Sequence, residues 1–349
     1  MENPKQLTIN YNMVSFLQFI FSILVIALHC ARIFNNDILH FVQKSFFSRM
    51  AVPYFFMSSA FFITLKAEVN PNYWNNYITK TIKIYLLWSL LFIPYGMTYF
   101  YKMDLPHLFI PIAIPVALLY TGICYHLWYI PALLFGSLLT NKLIKYLGYL
   151  GTFLICFALY FLGSLETYSS IIKDTFLNSF YQYYKSYFFT TRNGLFFSPV
   201  YIFLGLFLFQ FYHLIQKRNP KLLLSTSTLL FAIEALFIFY NQGDDKNFYL
   251  MLIPFTGSLF YWSITTHIFR QFNCTKLKQI SVLFFFLHPV FIELFPFVFY
   301  FLSLDNNFYG LLRFIFTIFM CLTSFYLLEK IKISFKKKET NLIKKELKS

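Results

Sequence analysis

Among the ionisable side chains inside or at the edges of long apolar runs are His29, Arg32, Arg49, His126, Arg192, Glu234, Glu293 and Arg313. Charges and imidazoles are costly in such surroundings, so each is a functional candidate by default. His29 stands out among them. It lies 17 residues beyond the start of its run at residue 12, too deep to reach water along its own side chain. Histidine is also the residue whose ordinary pKa falls nearest neutrality. Arg32 follows one helical turn later on nearly the same face. Such a pair can exchange a proton near neutral pH beside a fixed positive charge. For the arginines a plainer reading stays open: at the end of a span a guanidinium reaches the headgroups along its aliphatic stem, and a glutamate pairs with it only to join helices.

The elements that must position these groups are membrane helices. Of 349 residues, 58% are hydrophobic and 12% charged, with 50 Phe and 27 Tyr, against about 25% charged in an ordinary soluble domain. Lipid has to be the solvent for most of this surface. A backbone in hydrocarbon satisfies its own hydrogen bonds, so the spans are helices of roughly 20 residues. Apolar runs lie near 12–33, 46–65, 81–101, 126–141, 148–164, 193–214, 222–240, 248–268, 280–302 and 308–331. The expected fold is therefore all-α and integral to the membrane, with about ten transmembrane helices. An eleventh run, 105–124, contains Pro106, Pro111, Pro115 and Gly122, and proline removes a helical donor and clashes with the preceding turn. It is expected to be interfacial or re-entrant.

Charge sets the orientation. With ten spans and both termini cytoplasmic, twenty of the 29 basic residues fall on the inner side, as the positive-inside rule requires. The net charge of +15 is thereby explained without nucleic acid. The first span is too long, and its leading segment too poor in lysine, for a removable signal peptide. Residues 1–335 are expected to form one membrane domain, and 336–349 a basic cytoplasmic tail able to meet anionic headgroups. The five cysteines are scattered and have no zinc spacing, so no metal is expected. In this orientation His29, Arg32, Arg49, His126, Arg192 and Arg313 fall in the outer half of the bilayer, with Glu234 and Glu293 just past the midpoint. Their distribution suggests a polar cavity open to the exterior.

Five segments carry a resemblance. NMVSFLQFIFSILVIALHCAR (12–32), RMAVPYFFMSSAFFI (49–63), YHLWYIPALLFG (125–136), TRNGLFFSPVYIFLGLFL (191–208) and FLHPVFIEL (286–294) resemble, in order, blocks of the acyltransferase-3 family of integral membrane acyltransferases. The fourth is especially similar to the membrane half of serine racemases linked to vancomycin resistance. The family commonly has an arginine eleven residues before its catalytic histidine, where this chain has Gln18, and a glycine where it has Ser59. The family's R-x-x-R on the first inner loop is matched only by Lys80 and Lys83.

The resemblance implies a membrane O-acyltransferase. It would move an acyl group, most often acetyl, from cytoplasmic acyl-CoA to a hydroxyl of an extracytoplasmic glycan or other envelope acceptor, with no bound cofactor. It assigns His29 as the base, with Arg32 or Arg192 stabilising the oxyanion. Lys80 and Lys83 would hold the CoA phosphates. Arg49, His126, Trp128, Arg192, Asn193, Glu293 and Arg313 would line the acceptor side, Glu293 either orienting His29 or pairing with an arginine. A transporter of an amino acid or a lipid-linked sugar on the same fold is the rival expectation.

Overall fold

The computed structural model describes residues 8–103, 106–188, 190–300 and 306–346, with the side chains of 306–307 and of residues beyond 335 left aside. The architecture is helical throughout, with no strand among the described residues. In chain order the helices are α1 (Tyr11–His29), α2 (Ala51–Val69), α3 (Tyr73–Leu91), α4 (Ile93–Lys102), α5 (His107–Thr121) and α6 (Tyr129–Ser164). They continue as α7 (Phe176–Phe188), α8 (Ser198–Gln210), α9 (Pro220–Tyr240), α10 (Leu252–Thr265), α11 (Thr275–Val298) and α12 (Asn306–Glu346).

Six helical stretches are long and apolar enough to cross a membrane: α1, α2 with its lead-in from Asp37, α6, α9, α11, and α12 over Phe308–Phe335. The pair α3 and α4, bent by 60°, makes a seventh when counted as one broken span. The bend sits where Pro94 withholds the amide that would have bonded one turn back.

Helix α6 has 36 residues, which at the α-helical rise would extend about 54 Å, well beyond the roughly 30 Å of a hydrocarbon core. It is not one rod. Gly148 interrupts it at φ +67°, a left-handed conformation that glycine adopts without steric cost. The break follows Lys142 and Lys145, at the gap between the runs 126–141 and 148–164.

Elsewhere the helices depart from the hydrophobic runs for local reasons. The run 193–214 becomes helical only at Ser198. The Asn193 side chain accepts from the amides of Leu195 (2.8 Å) and Phe196 (3.0 Å) and holds that stretch in a turn. The run 105–124 is helical over His107–Thr121 and ends at Gly122, φ +77°. It is tied down by Tyr85, whose hydroxyl donates to the Leu118 carbonyl at 2.7 Å. The backbone of α12 continues helically to Glu346, so the basic stretch from residue 336 prolongs the last helix; the lysine side chains of that stretch and residues 347–349 lie outside the described residues.

Two compact units result, one formed by residues 1–14 and 45–272, the other by 15–44 and 273–349. In the first, α8 packs against α2 and α6, and α9 against α10. Gly205 allows α8 to approach α2 closely, since a Cβ there would meet the Met57 carbonyl oxygen at 2.4 Å. Small residues at crossings are how membrane helices gain contact where lipid offers no hydrophobic drive. In the second unit α11 packs against α12, and Ile26, Ala27 and Cys30 join Phe284, Ile292 and Cys321 in a buried core.

Candidate functional site

His29 closes α1 in the second unit. Its ring stacks on that of His288 from α11, with centroids 5.5 Å apart and planes 24° apart. His288 is fully buried, and its Nδ1 lies 2.7 Å from the Phe284 carbonyl oxygen. A carbonyl only accepts, so Nδ1 carries the proton and the lone pair resides on Nε2. Proline at 289 leaves the Phe285 carbonyl without its helical donor, which places a second acceptor in the same neighbourhood.

The other candidates of this unit make local pairs. Arg32 donates to the carbonyls of Phe34 (2.9 Å) and Asn35 (2.7 Å) and pairs with Asp37, closing the turn after α1. Arg313 donates through Nε to the Ile292 carbonyl at 2.9 Å and pairs with Glu293 at 3.8 Å. Of the two roles open to Glu293, the arginine pairing is the one present; the residue set against His29 is His288.

In the first unit the polar groups gather on the irregular segments that precede α8 and α10. Arg49 pairs with Asp245 at 3.3 Å and bonds the Asn247 side chain. Asn247 also donates to Asp245. Glu166, in the loop after α6, accepts from the Thr191 hydroxyl and from its amide at 3.3 Å. Burial raises the Glu166 carboxyl above its usual range, the Thr191 hydroxyl opposes this, Asp245 adds to it, and Arg192 opposes it. Asn193 donates to the Tyr120 hydroxyl (2.7 Å) and the Thr190 carbonyl (3.0 Å) as well as capping the turn. Arg192 lies over the indole of Trp128, 5.2 Å from the ring centroid.

His126 is buried, edge-on to Phe92 (5.1 Å) and Tyr125 (5.9 Å). Lys80 and Lys83 are exposed on one face of α3, where with Asn76, Thr79 and Ile84 they line an open cavity of about 380 Å³. Glu234 accepts from the Tyr168 hydroxyl and from the amides of Leu250 (2.6 Å) and Met251 (2.8 Å), at the start of α10. It joins α9 to α10.

Among the residues of these clusters that escaped the sequence reading are His288, Glu166, Asp245 and Asn247. His288 sits inside the segment FLHPVFIEL, so a second histidine in an apolar run was the signal available. The other three lie in polar loops, where an acidic or amide side chain is unremarkable until the fold brings Arg49 and Thr191 to it.

The sequence profile of the acyltransferase domain matches residues 13–329. The chain belongs to the acyltransferase-3 family. It is accordingly a multi-pass membrane protein. Among curated proteins it is similar to an amino-acid racemase of Enterococcus faecalis, 30% identical over 279 residues, covering 78% of this chain and 38% of the relative. It is also similar to a serine/alanine racemase of Enterococcus gallinarum, 31% identical over 289 residues, covering 77% and 39%. The chain thus spans less than two fifths of the length of these relatives. No solved structure matches it.

Proposed function

We propose that this acyltransferase-3 protein transfers an acyl group, acetyl in the simplest case, from cytoplasmic acyl-CoA to a hydroxyl of an extracytoplasmic glycan or envelope acceptor. The observation that carries the reading is the placement of His29: an imidazole at the end of an apolar helix, its ring held against a second, buried imidazole. Acyl transfer needs a base to take the proton of the attacking hydroxyl, and a positioned imidazole typically contributes 10²–10⁴-fold. In this reading His29 is the base, Lys80 and Lys83 meet the donor phosphates, and the Arg49, Trp128, Arg192 and Asn193 group handles the acceptor.

The reading includes ten crossings with both termini cytoplasmic. Helix α6 then counts twice because of Gly148. The short helices α8 and α10, 13 and 14 residues, are completed on their outer sides by the irregular segments that carry Arg192 and Asp245. Irregular backbone at that depth is tolerated where it is buried in protein or lines a cavity. The resident of such a cavity would be the acceptor.

The test is acyl-CoA-dependent labelling of an envelope acceptor in inverted membrane vesicles, comparing wild type with a Lys80→Ala, Lys83→Ala double variant. The double variant should raise the KM for acyl-CoA with kcat nearly unchanged, because phosphate contacts remote from the reacting carbon give mainly uniform binding. No acyl-CoA-dependent label in the wild type would remove the proposal. The second reading, transport of an amino acid, is favoured by the relatives, whose names assign them to amino acids. Concentrative uptake of an amino acid without any acyl transfer would select it.

A further inference from the structure

We propose that Arg192, laid on the indole of Trp128, is the capture point for an oxyanion, a carboxylate or a phosphate, borne by the molecule this protein acts on. The inference rests on the reading that the Arg49, Trp128, Arg192 and Asn193 group faces the substrate, whether that substrate is acylated or carried.

Arg192 is the exception among the four candidate arginines. Arg32 is met by two carbonyls and Asp37, Arg49 by Asp245 and Asn247, and Arg313 by a carbonyl and Glu293. The Arg192 side chain has no hydrogen bond or ion pair among the described residues, and its Nε is buried with no acceptor. Its backbone amide, by contrast, is used, donating to the Thr190 hydroxyl at 3.2 Å.

The two acids close enough to influence Arg192 are already committed. Glu166 takes the hydroxyl and amide of Thr191, and Asp245 takes Arg49, Asn247 and the Lys246 amide at 2.6 Å. A guanidinium N–H removed from water without an acceptor, as at Arg192 Nε, is destabilising to the free protein. A ligand that supplied two acceptor oxygens would relieve that cost.

The shape of the group fits the same ligand. The guanidinium carbon lies 5.2 Å over the Trp128 indole, a cation–π contact that uses none of its N–H donors. The donor edge of a guanidinium is a rigid fork matched to two oxygens of a carboxylate or phosphate. Both supports are fixed. Trp128 is buried edge-on to Phe56 (6.1 Å) and Phe197 (5.9 Å). The turn that carries Arg192 is pinned by the bonds of Asn193 to Leu195, Phe196, Thr190 and Tyr120. A neutral sugar would leave the fork unmet.

The experiment reads Trp128 directly. In full-length protein reconstituted in nanodiscs, with Trp74, Trp88 and Trp262 each replaced by Phe, the fluorescence is titrated with three sets of probes. These are glucuronate against glucose, serine against serinamide, and inorganic phosphate against no addition. A saturable change with an anion and none with its neutral partner is expected. Arg192→Gln should abolish it, and Arg192→Lys, which keeps the charge but not the fork, should weaken it about tenfold, the loss of roughly one good hydrogen bond. A response confined to the carboxylates, or to phosphate, says which oxyanion is recognised. Indifference to all the anions, or a response that survives Arg192→Gln, overturns the proposal. The melting temperature of each variant, with Arg192→Lys as the conservative member, separates lost binding from lost fold. Because no turnover is required, anion binding without acyl transfer would sink the acyltransferase reading alone, and acyl transfer without anion binding would sink this inference alone.

Discussion

The imidazoles of His29 and His288 lie stacked, 5.5 Å between centroids and 24° between planes. One ends an apolar helix and is half-buried, while the other is wholly enclosed and tied to the Phe284 carbonyl. The buried ring has nowhere to go, so it fixes the plane of the accessible one.

His288 is therefore expected to act as a positioning residue. His288→Ala should lower kcat about tenfold with the KM for acyl-CoA unchanged, since small misplacement of a reacting group costs rate and not donor affinity. His288→Phe keeps a flat ring against His29 and should recover most of the loss. Equal rates for wild type and His288→Ala in steady-state acyl transfer would show that the stack has no part in the chemistry.

Gly310 explains how the chain just after His29 is held. A Cβ at Gly310 would stand 2.0 Å from the Arg32 carbonyl oxygen and 2.7 Å from that of Ala31. Backbone oxygens cannot swing aside, so Gly310→Ala should destabilise the protein by about 1–3 kcal/mol, the usual cost of overpacking. Gly257→Ala is the control: its nearest neighbour would be Leu204 Cδ1 at 3.8 Å, and alanine there should be neutral or gain up to about 1 kcal/mol of helix propensity. Thermal unfolding in one detergent, both variants side by side, decides the matter.

Glu234 was singled out from sequence because a carboxylate inside an apolar run is costly, and the structure shows what offsets that cost. Its oxygens accept from Tyr168 and from the two amides that lead into α10, amides that have no intrahelical acceptor of their own. Glu234→Ala should therefore lower stability by about 3 kcal/mol, the worth of charge-assisted hydrogen bonds, and leave the KM values of the folded fraction as they were. A variant of normal stability with altered substrate KM would place Glu234 in the substrate path instead.

What could be read in advance follows from the physics of each signal. Long apolar runs marked α1, α9, α11 and α12 because hydrocarbon thickness fixes a length that composition reveals. The interruption at Gly148 was visible because Lys142 and Lys145 separate two runs. The start of α8 was not, since Leu195, Phe196 and Phe197 are as apolar as the helix and the hydrogen bonds of Asn193 hold them out of it. The site divides in the same way. His29, Arg49, Arg192 and Arg313 declare themselves by being charged or titratable among Phe, Leu and Ile. Glu166, Asp245 and Asn247 sit in polar loops and acquire meaning only from partners distant in sequence. Glu293 was an open choice between a histidine and an arginine, and only geometry could give it to Arg313.

The remaining prediction concerns His29 itself. His29→Ala should abolish acyl transfer to the envelope acceptor, by at least about 10²-fold for loss of a general base, while expression and membrane insertion persist. His29→Gln should not restore activity, because an amide cannot take up the proton. Gln18 supplies a companion test. Eleven residues separate it from His29, which is three turns and about 20° of rotation, so the two share a face of α1 about 16 Å apart along its axis. An arginine at 18 cannot touch the imidazole; on the inward side of the same face it should instead favour the anionic donor. Gln18→Arg is thus expected to lower the KM for acyl-CoA and leave kcat near its wild-type value. A rise in kcat alone would mean that position 18 communicates with the base, and near-normal transfer by His29→Ala would remove His29 from the mechanism altogether.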